Sequence, residues 1–293
     1  MAFDQSHYPS PKNVLAARRL HPRKRFGQNF LTDPRVAMRI AQLVPAGAHV
    51  IEIGGGTGTL TAPLAARAAS VTCLEIDRDL CAVLRERFDA MPAVTVDNQD
   101  ALTYDYATDL RSHRLPSAVC GNLPYYITTP LLERILELGD LLDCAVIMVQ
   151  REYAQRLTAK PMTADYGSLT VFANYFSELE KAFDVGAAGF YPPPLVASSV
   201  IRLTPRKQRL LMPETEALFL KLVRAAFGHR RKTLINSVLA GSRGEMAELR
   251  KTVQDALSAT GLSQTVRAER LSLTDFCRLA EELVRRRVAQ GGI

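Results

Sequence analysis

The stretch "HVIEIGGGTGTLT" (49–61) indicates the fold class, because it combines a predicted buried strand, a glycine-rich turn and the beginning of a helix. From about residue 36 to residue 150, short apolar runs alternate with segments of helical periodicity. This alternation predicts βαβ units and an α/β fold with a doubly wound, mostly parallel sheet. In such sheets a ligand binds at the carboxyl ends of the strands.

The remaining segments follow the same pattern. Strands are predicted at 49–54, 70–77, 93–100, 117–122 and 144–150, and a closing strand pair before residue 205. Helices are predicted at 35–44, 60–68, 78–88 and 129–138, with another following residue 150. After Pro205 four segments are helical, one of them with a Ser272–Asp275 start signal. We therefore expect a basic segment at 1–25, an α/β domain at 26–207 and a small all-helical domain at 208–293.

The charge is unevenly distributed along the 293 residues, whose net charge is +7. Residues 1–25 carry six basic residues against one acidic, residues 26–204 carry 14 against 20, and residues 205–293 carry 17 against nine. Basic ends around an acidic middle favour a polyanionic partner. The five cysteines and five histidines show no metal-ligand spacing, and we see no signal peptide or membrane span. We expect a cytoplasmic protein without a metal.

The glycine-rich turn indicates which cofactor binds. A dinucleotide fingerprint, G-x-G-x-x-G from Gly54, would need a glycine where Thr59 stands, which disfavours an NAD-dependent dehydrogenase. The spacing present is acidic-x-G-x-G-x-G, formed by Glu52, Gly54, Gly56 and Gly58. It resembles the first motif of S-adenosylmethionine-dependent methyltransferases.

Two acids at the next strand ends support this cofactor. Glu75 can accept hydrogen bonds from both ribose hydroxyls, and Asp100 can accept one from the adenine amine. Taken alone, either residue is more simply explained as a solvated loop carboxylate. At neighbouring strand ends of one sheet, both would face the same ligand as the glycine-rich turn.

The stretch "NLPY" (122–125) ends the fourth predicted strand at the same edge. An adenine exocyclic amine is a poor nucleophile, so it needs acceptors that favour a pyramidal nitrogen. The side-chain oxygen of Asn122 and the carbonyl of Leu123 can supply two. Tyr125 offers a flat face to an extruded base, and Pro124 stiffens the turn. We assign Tyr126 to packing.

Five motifs make the resemblance specific over nearly the whole chain. They are "RKRFGQNFL" (23–31), "NLPYYITTP" (122–130), "FYPPPLVASSVIRL" (190–203), "AFGHRRKTLINSVL" (226–239) and "RAERLSLTDFCRLAEEL" (267–283). Together they resemble the KsgA/RsmA family of bacterial 16S rRNA adenine dimethyltransferases, which is related to the erythromycin-resistance methylases. The chain departs from the family at Gly55, where Pro is frequent, at Thr57, where Leu is frequent, and at Ala197, where Asp is usual.

The resemblance implies roles for further residues. The cofactor contacts it implies are Asn29, Leu31, Gly54, Glu75, Asp100 and Asn122. Phe190 would stack on the target adenine opposite Tyr125. RNA contacts are expected from Arg23, Lys24 and Arg25, and from Arg230, Arg231 and Lys232, although the second group reads equally well as a solvated helix face. Binding through such patches would weaken steeply with salt.

The expected activity is transfer of methyl groups from S-adenosylmethionine to two adjacent adenosines in the 3′-terminal hairpin of 16S rRNA. The partner would be the immature small ribosomal subunit, and the enzyme would act as a monomer. Three alternatives stay open: the same chemistry on large-subunit rRNA, an assembly factor whose methylation is incidental, and a DNA adenine methyltransferase. The last is disfavoured because no extended target-recognition region is visible.

Overall fold

The computed structural model describes residues 9–113, 116–240 and 246–289. The chain divides into two compact units. The first contains residues up to Ala154 together with Ser177–Lys207, and the second contains Gln155–Phe176 together with the residues from Gln208 onward. The expected boundary near residue 207 coincides with one end of the first unit. Residues 155–176, which we expected in the α/β domain, belong to the helical unit instead.

The first unit is built around a seven-stranded sheet. Its strands, with those of a short two-stranded sheet, are β1 (Phe30–Leu31), β2 (His49–Ile53), β3 (Ser70–Leu74), β4 (Val94–Asp97), β5 (Ser117–Asn122), β6 (Cys144–Gln150), β7 (Ser177–Val185), β8 (Phe190–Tyr191) and β9 (Ser198–Pro205). The seven strands are ordered β4-β3-β2-β5-β6-β9-β7. The first five run parallel, β9 is antiparallel to β6, and β7 is antiparallel to β9. This confirms the predicted doubly wound α/β fold.

The helices of this unit connect the strands. They are α1 (Pro11–Ala17), α2 (Pro34–Leu43), α3 (Thr61–Ala65), α4 (Arg78–Phe88), α5 (Tyr106–Ser112) and α6 (Thr128–Glu137). The next helix, α7 (Arg151–Leu157), begins in this unit and ends in the second. The side chains of Asp33, Asp77 and Asp105 cap the amino ends of α2, α4 and α5. All residues of β2 and the first six of β6 are buried, as expected for parallel strands covered on both faces.

The second unit is helical. Its elements are α8 (Ser168–Phe176), α9 (Pro213–Ala226), α10 (Leu234–Ala240), α11 (Met246–Ala259) and α12 (Leu273–Ala289). The predicted start signal of α12 is confirmed, because Ser272 and Asp275 exchange hydrogen bonds in a capping box. Within the described ranges, no helix is long and apolar enough to cross a membrane.

Candidate active site

A cavity lies at the carboxyl ends of the parallel strands in the first unit. It opens where the chain order reverses between β2 and β5, with β3 and β4 on one side and β6 on the other. Its lining comes from the turn after β2, the ends of β3 and β5, the loop after β4, and the segment 26–31. The residues predicted to bind the cofactor therefore converge on one site, apart from Gly58, which does not line the cavity.

The glycine-rich loop is shaped by backbone that favours glycine. Gly54, Gly56 and Gly58 have φ angles of +75°, +58° and +83°, a region that residues with a side chain rarely adopt. The backbone N–H of Gly56 donates to Oε2 of Glu75 over 2.9 Å. The loop therefore packs against the very carboxylate that we expect to bind the ribose.

Gly55 has no unusual φ, and its constraint is space. A Cβ atom at this position would lie 2.1 Å from Sγ of Cys73 and 3.0 Å from Leu84 Cδ1. Any residue with a Cβ, including the proline frequent in the family, would collide there with the Cys73 thiol. The departure at Gly55 is therefore matched by Cys73 in the neighbouring strand.

We expect Gly55→Ala to lower the free energy of unfolding by about 1–3 kcal/mol, the usual cost of overpacking. Combining it with Cys73→Ala should recover much of that loss, which a double-mutant cycle in urea would measure as a positive coupling. Gly186→Ala is the matched control, because nothing lies within 4 Å of a Cβ built there. Equal losses in the single and double variants would contradict the steric explanation.

Glu75 directly follows β3, whereas β4 ends at Asp97 and Asp100 lies in the loop after it, not at the end of a strand as expected. Glu75 is 6% exposed, and its two oxygens accept from the backbone N–H groups of Gly56 and Asp77, each over 2.9 Å. Burial raises the pKa of the Glu75 carboxyl, while these hydrogen bonds oppose the rise. Oδ1 of Asp100 accepts from the Leu102 backbone, which holds the loop after β4 against the cavity.

Glu52 also lines this cavity, although we did not predict it as a ligand. Its side chain is almost fully buried, and Oε2 has no hydrogen-bond partner among the described residues. Burial raises the pKa of this carboxyl to about 7, against hydrogen bonds from the Thr61 and Cys73 side chains that lower it. The signal in the sequence was the acidic position of the glycine motif, which we used only to identify the spacing.

The turn after β5 presents a buried acceptor. Nδ2 of Asn122 donates to the backbone oxygen of Asn29 over 3.0 Å, which fixes the orientation of the amide. Oδ1 of the same amide is buried, and no described residue donates to it. Leu123 is 1% exposed, and its backbone N–H donates to Met148 in β6. The amide of Asn122 thus offers one unused acceptor to the cavity.

The aromatic residues around this turn differ from each other in exposure. Tyr125 lines the cavity, and its hydroxyl lies 3.1 Å from Oγ of Ser198. Tyr126, which we assigned to packing, is 57% exposed and lines the cavity, with Gly27 against its ring. Phe190 is 4% exposed and belongs to the apolar core, where its strand pairs with Leu31. It is not part of the cavity lining, so its stacking on adenine stays a prediction that requires the ring to turn.

The N-terminal segment forms one wall of the cavity and is tied down by ion pairs. Arg23 contacts the carboxylates of both Asp77 and Asp79, at 2.7 Å in the case of Asp77. Gln28 donates to the other oxygen of Asp77 over 3.0 Å, and Asp77 in turn donates its backbone N–H to Glu75. We expected the guanidinium of Arg23 to contact RNA. In the structure it instead pairs with Asp77 and Asp79 and so holds the segment 26–31 at the cavity.

Removing the ion pairs of Arg23 should loosen the segment 26–31 more than it changes RNA binding. We expect Arg23→Ala to weaken S-adenosylmethionine affinity severalfold, since a partly exposed ion pair of this kind contributes about 1 kcal/mol. Calorimetry of cofactor binding would measure it. Arg19→Ala removes the same charge from the same segment and is the control. If both variants bind the cofactor alike, Arg23 does not position the wall.

The remaining predicted RNA contacts whose side chains are described are all exposed. Arg25 lies over the ring of Phe26. The side chain of Lys24 lies outside the described residues. Arg230, Arg231 and Lys232 are exposed in the turn between α9 and α10, where Arg230 also donates to the Ala164 carbonyl. They therefore do not form a helix face, and their contact with RNA stays a prediction.

Known proteins resemble this chain over most of its length. Ribosomal RNA small subunit methyltransferase A of Magnetococcus marinus is 40% identical over 281 residues, covering 94% of this chain and 96% of that protein. The protein of the same name from Acinetobacter baylyi is 40% identical over 264 residues, covering 89% and 92%. These relatives match the two units together rather than the α/β part alone.

Two solved structures share the fold. A dimethyladenosine transferase from Plasmodium falciparum superimposes with a TM-score of 0.75 at 24% identity, covering 89% of this chain and 98% of that one. The 23S rRNA methyltransferase ErmE gives a TM-score of 0.68 at 30% identity, covering 87% and 100%. A profile of the family described as Ribosomal RNA adenine dimethylase matches residues 19–284. On these grounds the chain belongs to the ribosomal RNA adenine dimethylase family.

Proposed function

We propose that this protein transfers methyl groups from S-adenosylmethionine to the exocyclic amines of two adjacent adenosines in the 3′-terminal hairpin of 16S rRNA. The proposed partner is the immature small ribosomal subunit. We propose that the enzyme is a monomer and acts in the cytoplasm. Support comes from family membership and from the two relatives named for the small subunit, each 40% identical to this chain.

The cavity fits S-adenosylmethionine by the chemistry of its donors and acceptors. That cofactor supplies a methyl group on a sulfonium centre, which an amine can attack in a single displacement. Glu52 offers a buried, unpaired oxygen suited to an ammonium group, and Glu75 and Asp100 offer acceptors to ribose and adenine. The glycine-rich loop lines the same cavity, so a ligand bound there can approach its backbone.

The acceptor turn has the chemistry for the other substrate. The unpaired Oδ1 of Asn122 can accept a hydrogen from the adenine amine and so favour a nitrogen whose lone pair is available for attack. This orphaned, buried oxygen is the observation that carries the proposal, because burying an unsatisfied acceptor is costly unless a ligand completes it. Tyr125 beside it can stack on the base. No strong general base is needed, because in-line positioning supplies much of the rate.

The proposal is tested by methyl transfer to three substrates: immature small subunits, large subunits and naked rRNA. We expect labelled methyl groups to enter the immature small subunit, with mapping showing dimethyladenosine at two adjacent positions of the 3′-terminal hairpin. Transfer should fall steeply with salt, because RNA binding releases counterions. Labelling confined to the large subunit would overturn the choice of substrate while leaving the adenine chemistry intact.

Large-subunit rRNA is the second candidate, because the solved structure of the 23S rRNA methyltransferase ErmE is 30% identical to this chain and superimposes with a TM-score of 0.68. The relatives named for the small subunit are closer in sequence, at 40% identity. We therefore favour the small subunit. An assembly role without methylation is distinguished by a variant that cannot transfer methyl groups and is tested for rescue of subunit maturation.

A further inference from the structure

A cluster of imidazole and carboxylate groups lies on the edge of the sheet opposite to the cavity, at the amino end of β2. His49, the first residue of β2, is 1% exposed, and its Nε2 lies 3.3 Å from Oδ2 of Asp109 in α5. His113, which directly follows α5, places its Nε2 3.5 Å from Oδ1 of the same carboxylate. One ligand atom from each of these three side chains lies within 4.8 Å of the others.

The separations between these atoms suit a small transition-metal ion. Zinc binds nitrogen and oxygen at about 2.0–2.1 Å, so the corners of a tetrahedral site lie about 3.3–3.4 Å apart. The distance from Nε2 of His49 to Oδ2 of Asp109, 3.3 Å, falls at that spacing, and Nε2 of His113 lies 3.5 Å from the other oxygen of the same carboxylate. Asp109 and His113 are four residues apart at the end of one helix, and His49 completes the set from the sheet. Three protein ligands leave the fourth corner for water.

Two of the three side chains have the outer hydrogen-bond partners that metal ligands usually have. Oγ of Ser70 lies 2.7 Å from Nδ1 of His49 and can accept its proton, the tautomer that leaves Nε2 free to bind an ion. The hydroxyl of Tyr104 donates to Oδ2 of Asp109 over 2.7 Å and orients the carboxylate.

We propose that His49, Asp109 and His113 bind one zinc-like divalent cation, which ties the end of α5 to the first residue of β2. The two imidazole rings stack with centroids 3.6 Å apart and planes 13° apart, so both Nε2 lone pairs cannot point at one ion in that arrangement. The side chain of His113 is 32% exposed and lies just beyond the helix, so its ring turns out of the stack as the ion binds. The site is independent of the proposed methyl transfer.

Sequence spacing could not reveal this site. Asp109 and His113 alone form a common helix-end pair, and His49 stands 60 residues before Asp109. Only the parallel sheet brings the start of β2 to the end of α5. Nitrogen-rich sites of this kind favour zinc, cobalt or nickel over magnesium, which prefers oxygen ligands.

The test uses the full-length protein after treatment with a chelator. We expect titration calorimetry with zinc chloride to show one ion per chain, and cobalt chloride to give the intense visible absorption of a tetrahedral complex. His113→Ala should weaken zinc binding at least about tenfold and abolish the cobalt spectrum. His229→Ala, which removes an exposed histidine of the helical unit, is the matched control and should bind as the unchanged protein does. Magnesium chloride should produce no binding heat at this site.

Folding of the variants is checked by circular dichroism without metal, and His113→Ala is suited to this because its side chain is partly exposed. Ser70→Ala provides a second variant that keeps all three ligands and should still weaken zinc binding, by removing the partner of Nδ1. The proposal is overturned if the unchanged chain binds no zinc, or if one-to-one binding survives His113→Ala and Ser70→Ala undiminished. Either result would make the cluster only a hydrogen-bonded contact between α5 and the sheet.

Discussion

Replacing Asn122 by alanine is expected to reduce kcat for methyl transfer by about 10²–10³-fold, the usual effect of removing one preorganised hydrogen-bonding group from a reacting centre. The reason is specific to one atom. Oδ1 is buried and unpartnered, while Nδ2 of the same amide is held by the Asn29 carbonyl at 3.0 Å. The amide is therefore oriented before the adenine arrives, and alanine removes both the acceptor and the contact that orients it.

The measurement is transfer of labelled methyl groups to immature small subunits, with cofactor affinity measured separately by calorimetry. We expect S-adenosylmethionine binding to weaken far less than kcat falls. Asn122→Asp keeps an acceptor oxygen and loses the donor to Asn29, so activity above that of the alanine variant would assign the effect to the acceptor. Asn174→Ala truncates an amide of the helical unit that donates to the Thr170 carbonyl, and it serves as the control. Wild-type kcat in Asn122→Ala would refute the proposed mechanism.

The elements that local sequence determines were predicted closely. The strands at 117–122 and 144–150 and the helix at 78–88 begin and end where expected. Each combines a continuous apolar run or a clear helical period with a distinct stop. Convergence of the cofactor residues also followed from local information, because parallel strands place their carboxyl ends on one edge.

Elements that depend on distant partners were missed. β1 and β8 have two residues each, and they exist only because Phe30–Leu31 meets Phe190–Tyr191 across 160 residues of chain. α1, α5 and α8 have seven, seven and nine residues, too few turns for a periodic signal to stand out. The role of Arg23 depends on Asp77 and Asp79, more than 50 residues away. Side-chain partners of this kind follow from tertiary packing, which spacing along the chain does not encode.

Replacing Glu52 by glutamine is expected to stabilise the cofactor-free protein at high pH relative to low pH. Burial raises the pKa of this carboxyl from 4.5 to about 7 in the folded protein. Between these values the folded state holds a proton that the unfolded state has released, so stability decreases as pH rises through this window. The full cost, reached above about pH 7, is about 3 kcal/mol at 1.36 kcal/mol per pKa unit. Glutamine removes this titration.

The difference in unfolding free energy between Glu52→Gln and the unchanged protein should therefore shift in favour of the variant by up to about 3 kcal/mol between about pH 4.5 and pH 8. Urea unfolding at several pH values would measure it, and Glu86→Gln, an exposed change in α4, is the control. Any fixed cost of burying the amide is the same at every pH and does not alter the slope. Because Glu52 faces the cavity with an unpaired oxygen, the same variant should bind S-adenosylmethionine more weakly, by losing its charge toward an ammonium group. Parallel stability curves for the two proteins across this range would show that folding does not raise the pKa of Glu52, and would contradict the prediction.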